Sequence, residues 1–241
     1  MKPLATGLFA AMLAVAPAIC AAADDPKGHG GVATGLVPVY PEGRDCPVLT
    51  SLYGDWIDLD GRRRDRSHEG VDGGRFGDAV VAPAGGRVLA IWPVTTEIGA
   101  DWSVLILHDP ADLGLGDPAI SYYSEFDHLA AEDIAHLRAG ARIGRGDRIG
   151  TVRHPGGNPA FRAEVHWEVY ELPTAAQDAL TWSERDGVRQ GWWNEAATLV
   201  DPLYGLGLDR DDPAPGQVAI TPAQDAMRLG FRGFSYHLEC R

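Results

Sequence analysis

Ser67-His68-Glu69-Gly70-Val71-Asp72-Gly73-Gly74 is the stretch around which this 241-residue chain is organised. A helix would place His68 and Asp72 on one face, but each of its three glycines costs a helix about 1 kcal/mol relative to alanine. On a straight strand the two side chains would lie about 13 Å apart. That is too far for two ligands that must each lie about 2 Å from one metal ion.

A bend in this stretch would bring the imidazole and the carboxylate together. Gly70 lies between them and allows such a bend, because glycine has no Cβ atom to restrict the backbone. The stretch then supplies half of a metal site. The alternative is a surface loop that happens to contain a histidine, and the choice depends on what lies downstream.

A second cluster of ionisable residues lies in a predicted strand over residues 161–170. Alternate side chains of a strand point to the same side, so Glu164, His166 and Glu168 share one face and apolar residues occupy the other. Three ionisable groups on a central strand are costly unless they have partners. A metal ion is the simplest partner, and an edge strand with a solvated acidic face is the alternative.

The remaining pattern predicts a mainly β protein. Short runs rich in valine, isoleucine and tyrosine alternate with glycine, proline and aspartate, as in strands joined by turns. One helical segment is predicted over 131–137, where two acidic residues occupy the first turn. Residues 24–48 show no periodicity and are interpreted as an irregular lead-in. No function is assigned to residues 173–198 or 206–241.

The N-terminus predicts export. Residues 1–23 combine Lys2, a short apolar run and Ala21-Ala22-Ala23, as in a secretory signal with its cleavage site. A buried N-terminal helix is the alternative. We therefore expect a periplasmic or extracellular protein without stable membrane insertion after signal removal, because no later apolar run reaches the length of a membrane span.

The net charge bears on the partners of the chain, and the cysteine content bears on its disulfides. The net charge is −13; removal of the signal takes away one lysine and leaves 20 basic and 34 acidic residues, or −14. This balance argues against nucleic acid as a partner. The mature chain keeps Cys46 and Cys240, which in an oxidising compartment predict a disulfide; two free thiols are the alternative.

Seven short motifs follow one another in an order that resembles a known family. They are Tyr53-Gly54, His68 with Asp72, 81–88, 123–129, 146–150, 164–169 and 201–203. The series resembles the lysostaphin-like (LytM-type) zinc metallopeptidases, which act on bacterial peptidoglycan. The resemblance covers 49–205, taken as the peptidase domain, with 206–241 as a C-terminal tail. It implies an antiparallel barrel-sandwich with one or two short helices.

The resemblance also implies a site and a reaction. His68, Asp72 and His166 would hold one zinc ion, with water as the fourth ligand, and His128 would orient water or stabilise the oxyanion. Two imidazoles, one carboxylate and an open position are typical of a catalytic zinc site. The expected function is an exported endopeptidase that hydrolyses peptide cross-links of peptidoglycan with a zinc-activated water.

One departure from the family pattern affects this prediction. Glu164 stands where the family has a histidine, and it could act as general base or mark lost turnover. The alternative function is therefore a non-catalytic module that binds peptidoglycan or regulates another hydrolase. Arg64 and Arg66 belong to a local basic run that could bind carboxylates of stem peptides; a solvated loop is the other interpretation.

Overall fold

The computed structural model describes residues 34–59, 61–96, 99–209 and 216–241. Its strands are β1 Val37–Val39, β2 Leu49–Ser51, β3 Val71–Gly73, β4 Ala79–Val81, β5 Gly86–Thr96, β6 Gly99–His108, β7 Ile120–Leu129, β8 Arg142–Ile143, β9 Arg148–Thr151, β10 Val165–Pro173, β11 Thr181–Arg185, β12 Val188–Trp193, β13 Thr198–Val200 and β14 Gln217–Ala219. The helices are α1 Ala131–Ile134, α2 Pro202–Leu206 and α3 Ala223–Ala226, with 3₁₀ turns at Pro155–Gly157 and Thr174–Ala176.

One eight-stranded sheet carries the fold. Its order is β2-β3-β10-β7-β6-β5-β8, and β13 also pairs with β10. Every neighbouring pair in it is antiparallel. Three two-stranded sheets pair β4 with β9, β11 with β12, and β1 with β14. The predicted fold class, mainly β with antiparallel sheets and short helices, is confirmed.

Strand β10 lies inside this sheet and has a hydrophobic cluster on each side. Val165, Trp167 and Val169 belong to one cluster, and Tyr170 and Leu172 belong to the other. This separation follows from the alternation of side chains along a strand. The predicted strand over 161–170 was placed too early, because β10 begins at Val165 and Glu164 forms only an isolated bridge with Arg153.

The C-terminal segment is part of the core on the Trp167 side. Phe234, Tyr236, Leu238 and Cys240 are buried in the same cluster as Trp167. Since His166 points to the opposite side of β10, this segment does not cover the His166 face. The hairpin β11–β12 lies on that face, where Trp192 donates a hydrogen bond of 2.8 Å to Glu125.

The lead-in is more regular than its sequence indicates. Within its described part, strand β1 runs parallel to β14, with Val37 opposite Gln217 and Val39 opposite Ala219. The chain therefore closes its N-terminal and C-terminal segments against each other. The signal predicted for residues 1–23 lies outside the described residues. None of the helices in the described ranges has the length and apolar character needed to cross a bilayer.

A disulfide joins Cys46 to Cys240 across 194 residues. Both cysteines are buried, and backbone hydrogen bonds between Asp45 and Arg241 flank the bridge. The predicted pairing is therefore present in the structure. A cross-link over so long a loop removes much conformational freedom from the unfolded chain, which corresponds to about 5 kcal/mol in the chain-entropy description.

We expect the folded chain without residues 1–23 to contain no free thiol. Thiol titration in denaturant should find none in a chain that begins after residue 23, and replacing both Cys46 and Cys240 by serine should lower the free energy of unfolding by up to about 5 kcal/mol. Two titratable thiols in the unreduced protein would contradict the bridge.

Candidate metal centre

Sheet register brings two distant parts of the sequence together. Asp72 on β3 lies directly opposite His166 on β10. On the other side of β10, Asp127 of β7 is also opposite His166. Residues directly opposite each other on antiparallel strands have Cβ atoms about 5 Å apart. Three ionisable side chains therefore form a row across three neighbouring strands.

His68 reaches this row from the segment that precedes β3. Its backbone is fixed by two hydrogen bonds, from Gly54 N–H to His68 O and from His68 N–H to Asp55 O. Gly70 passes so close to β10 that a Cβ atom there would lie 2.8 Å from His166 Cε1. Gly70 is therefore needed for close packing against β10 as well as for the bend expected from the sequence.

Two imidazole nitrogens and the Asp72 carboxylate converge on one point. His68 Nε2 lies 3.0 Å from Asp72 Oδ2 and 3.1 Å from His166 Nδ1, and His166 Nδ1 lies 2.7 Å from Asp72 Oδ1. Ligands of one tetrahedral zinc ion, each about 2.0–2.1 Å from the metal, lie about 3.3 Å from each other. The donor set and its spacing suit a divalent cation.

The electrostatics of the cluster also favour a cation. Burial by itself would raise the pKa of Asp72, but hydrogen bonds from the two histidines hold it well below its usual range. Burial would lower the pKa of His166, but Asp72 and Glu168 hold it well above its usual value. The raised pKa of His166 favours an imidazolium beside Asp72, where a metal ion would satisfy the same groups.

Glu168 orients His166 from behind. His166 Nε2 lies 3.0 Å from Glu168 Oε1, and Glu168 Oε2 accepts a hydrogen bond of 2.5 Å from the Tyr170 hydroxyl. A carboxylate on the second ring nitrogen fixes the tautomer and leaves Nδ1 for the metal. Asp127, His166 and Glu168 also lie within metal-binding distance of one another, but these contacts identify Glu168 as a support for His166.

His128 lies beside the centre in a constrained conformation. It is the last residue but one of β7 and has a φ of 64°, which is uncommon for a residue other than glycine. Its Nδ1 lies 2.9 Å from Asp101 Oδ2, so Nε2 is the nitrogen left for the groove. Asp101 is itself held by the Gly156 N–H at 2.8 Å and 2.9 Å. Burial would lower the pKa of His128, but the hydrogen bond and charge of Asp101 together with the charge of Asp127 raise it.

Glu164 lies at the same groove, immediately before β10. Burial raises its pKa to about 7 in the metal-free protein, and the charge of Asp72 adds to the effect. Its backbone N–H donates to Arg153 O at 3.0 Å. Glu164, His128 and the three donor residues all border one cavity of about 300 Å³.

The two predicted substrate-binding arginines also border this cavity. Arg64 Nη2 lies 3.6 Å from Asp72 Oδ2 and donates to Ser51 Oγ at 3.2 Å. Arg66 pairs with Glu69 at 3.2 Å and is half exposed. The structure therefore brings together every site residue predicted from the sequence except the disulfide, which lies elsewhere.

Asp101 and the supporting role of Glu168 were missed by the sequence reasoning. Glu168 carried a signal, since it shares the His166 face, whereas Asp101 carried none. The other described histidines are away from the donor atoms. His108 and His237 are fully buried, His136 is exposed and bonds Arg148 O, and His154 stacks on Phe76.

Comparison with known proteins gives the same resemblance as the motifs. No family model matches the chain, and no curated protein does. Among solved structures, LytU matches at 18% identity over 59% of this chain and 79% of its own, with a TM-score of 0.36. The catalytic domain of lysostaphin from Staphylococcus simulans matches at 16% identity over 59% of this chain and 86% of its own, with a TM-score of 0.34.

A zinc-containing peptidase from Vibrio cholerae also matches, at 18% identity over 54% of this chain, with a TM-score of 0.35. This chain spans only 34% of that protein. The lysostaphin domain and the Vibrio cholerae protein are peptidases by name, and the chain resembles the lysostaphin-like group. At such identities and scores the likeness says nothing about the activity of this chain, which has to be inferred from its own residues.

The contact between Asp101 and His128 predicts a measurable pKa change. Asp101→Asn should lower the pKa of His128, because a neutral amide no longer favours the imidazolium. An NMR titration of the histidine ring protons in the metal-free protein measures it. Asp178→Asn, which removes an exposed carboxylate elsewhere, should leave the pKa of His128 unchanged. An unaltered pKa in Asp101→Asn would show that Asp101 does not act on His128.

Proposed function

We propose that this chain is an exported zinc metalloendopeptidase that hydrolyses peptide cross-links of bacterial peptidoglycan. The observation that carries the proposal is the convergence of His68 Nε2, His166 Nδ1 and an Asp72 carboxylate oxygen in a groove. All three are preorganised by the sheet, by Gly70 and by Glu168. Two imidazoles and one carboxylate leave one position of a tetrahedron open to water or substrate.

Zinc is the cofactor we propose for His68, Asp72 and His166. Nitrogen donors with one carboxylate suit zinc better than calcium or magnesium, which prefer oxygen ligands. When bound, zinc lowers the pKa of water and polarises a carbonyl group. When no metal is present, the raised pKa of His166 favours a positive charge between Asp72 and Glu168. A bound cation would provide that positive charge instead.

We propose that Glu164 transfers a proton and that His128 stabilises the negative charge of the oxyanion. Glu164 would accept a proton as water attacks the peptide carbonyl and would pass it to the amine that leaves as the C–N bond breaks. Asp101 accepts from His128 Nδ1 and favours the imidazolium, whose Nε2–H can donate to the oxyanion. The pKa of Glu164 would lie lower beside a bound cation than in the metal-free protein, because positive charge favours the carboxylate.

The proposed substrate is a stem peptide, whose carboxylates suit the arginines of the groove. Arg64 lies 3.6 Å from Asp72, next to the proposed metal, and Arg66 pairs with Glu69 at 3.2 Å. A guanidinium presents a planar fork of donors that matches a carboxylate. We extend the proposal to the domain boundaries, with 1–23 as a removed signal, 24–48 as a lead-in, 49–205 as the catalytic domain and 206–241 as a C-terminal segment.

A second candidate, a binding or regulatory module of the same fold, is favoured by one observation. Glu164 stands where the family pattern has a histidine, so one proposed catalytic position has changed its chemistry. The three proposed metal ligands and His128 are nonetheless present with suitable geometry. We therefore retain the enzyme as the primary proposal and treat turnover as the measurement that separates the two.

The zinc assignment predicts stoichiometric metal in the purified protein. Elemental analysis should find one zinc per chain, and His166→Ala should abolish it, because the remaining two ligands cannot hold the ion tightly. His136→Ala, which removes an exposed histidine, should keep one zinc. Full zinc occupancy after replacement of His68, Asp72 and His166 together would show that the site is elsewhere.

The role of Glu164 predicts a selective loss of turnover. Glu164→Gln keeps size and hydrogen bonding but removes basicity, so the rate of stem-peptide release from purified cell wall should fall by about 10²–10⁴. Zinc content should stay at the wild-type level. Mass spectrometry of the released fragments measures the reaction and identifies the bond that is cut.

Two other outcomes lead to different conclusions. Unchanged turnover in Glu164→Gln would transfer the role of base to His128. A wild-type protein that binds zinc but releases nothing from any cross-linked wall would replace the enzyme by the binding module.

A further inference from the structure

The groove continues beyond the metal centre into a second cavity of about 220 Å³. Both cavities are bordered by Arg64, Asp72, His128 and Glu164, so they are two halves of one groove. We call the first the metal half and the second the arginine half. The arginine half has no role in the arrangement of the proposed zinc ligands.

Both walls of the arginine half are held by hydrogen bonds. One wall is a turn closed by Arg64 N–H to Trp56 O and Asp58 N–H to Arg62 O, each at 2.9 Å. The other wall follows the Pro155–Gly157 turn and is closed by His154 Nδ1 to Phe161 O at 2.7 Å. Ordered walls keep the shape of a binding site before the ligand arrives, which reduces the entropic cost of binding.

The two halves differ in charge. Five carboxylates and two arginines border the metal half. Three carboxylates and three arginines border the arginine half, and two of those carboxylates, Asp72 and Glu164, belong to the metal centre. A divalent cation beside Asp72 would offset these two, leaving the arginine half positive in a chain of net charge −13. A local positive region in an acidic protein attracts an anionic group to that place.

Arg162 and Arg64 differ in their surroundings. Arg162 is exposed at the edge of the groove and has no hydrogen-bond or ion-pair partner within the described ranges. Arg64 is partly buried, donates to Ser51 Oγ at 3.2 Å and lies 3.6 Å from Asp72. Arg162 therefore offers free donors to an anionic ligand, and Arg64 presents a fixed positive charge beside it.

The rest of the lining limits the ligand further. Leu59 lies on one wall, and Pro155 and Phe161 lie on the other. These side chains offer apolar contact below the guanidinium groups. A volume of about 220 Å³ accommodates one amino-acid residue but not a folded segment or a nucleotide chain.

We propose that the arginine half is a specificity subsite for a peptide residue that has an aliphatic stem and a free carboxylate. Arg162 and Arg64 would bind the carboxylate, and Leu59 and Phe161 would contact the stem. The subsite rests on the proposed peptidase function, since it places that residue next to the bond to be cut. Phosphate offers the same anionic chemistry as a peptide carboxylate. Binding of matched peptides and of inorganic phosphate separates these two ligands.

A pair of matched peptides tests this subsite. The two differ only at the residue beside the scissile bond, which carries either a free carboxylate or its carboxamide. The zinc-loaded wild type should show a kcat/KM about tenfold higher for the acid, as expected for one charge-assisted contact at a partly exposed site. Arg162→Gln should bring the ratio close to one, and Arg162→Lys should give an intermediate ratio.

Arg189→Gln is the matched control. Arg189 lies on β12 over the Trp182 ring at 4.3 Å, outside the groove, and its replacement removes the same charge. The acid-to-amide ratio of the control should equal that of the wild type. A control that loses the preference to the same degree as Arg162→Gln would overturn the subsite, because net charge alone would then explain the effect.

Calorimetric binding of both peptides to the metal-free protein provides a readout that does not need turnover. Tighter binding of the acid peptide, lost in Arg162→Gln, would support the subsite. If neither peptide is then cleaved, only the proposed peptidase function fails. Equal cleavage and equal binding of the two peptides would overturn the subsite and leave the peptidase function standing. If inorganic phosphate binds the wild type but not Arg162→Gln, and the acid peptide is not preferred, the peptide carboxylate is overturned as the ligand of this subsite.

Discussion

The pairing of β3 with β10 and of β10 with β7 is the constraint on which the site depends. It places Asp72, His166 and Asp127 opposite one another, although they are far apart in sequence. Side chains of a strand alternate between faces, so a slip of one residue would turn His166 into the core. Trp167 prevents that slip, since it is fully buried and its ring lies parallel to Phe126 at 6.1 Å. The same packing that stabilises the fold therefore sets the register of the proposed ligands.

A consequence of this register is a concentration of negative charge around His166. Asp72 and Glu168 lie on either side of the His166 ring, at 2.7 Å and 3.0 Å from its two nitrogens. An imidazolium at His166 can donate to both carboxylates. Its Nδ1 proton then lies at the position that faces His68 Nε2. A cation in that place would leave His166 neutral and would satisfy His68 as well. Metal binding and the protonation of His166 are thus competing ways to meet the same electrostatic requirement.

Much of this arrangement could be predicted from the sequence because it depends on local patterns. Alternation along β10 identified His166 and its acidic neighbours, and the glycines around Asp72 indicated a bend. Asp101 could not be found in this way, since it lies on β6 and meets His128 only through the pairing of β6 with β7. The course of residues 206–241 was equally inaccessible, because nothing in their pattern says which face of the sheet they cover. Contacts that depend on the pairing of distant strands could not be predicted from a single sequence.

The substitution at Glu164 is best understood together with Arg64. A family-type centre with one carboxylate ligand and a divalent cation carries a net charge of +1, whereas a second nearby carboxylate reduces it to zero. A neutral centre would stabilise a developing oxyanion less well. Arg64 lies 3.6 Å from Asp72. Its charge opposes the burial and the Asp72 charge that raise the pKa of Glu164. The guanidinium therefore offsets the negative charge that Glu164 adds. On this basis the glutamate belongs to a different balance of charges around the three proposed ligands, with Arg64 as the compensating residue.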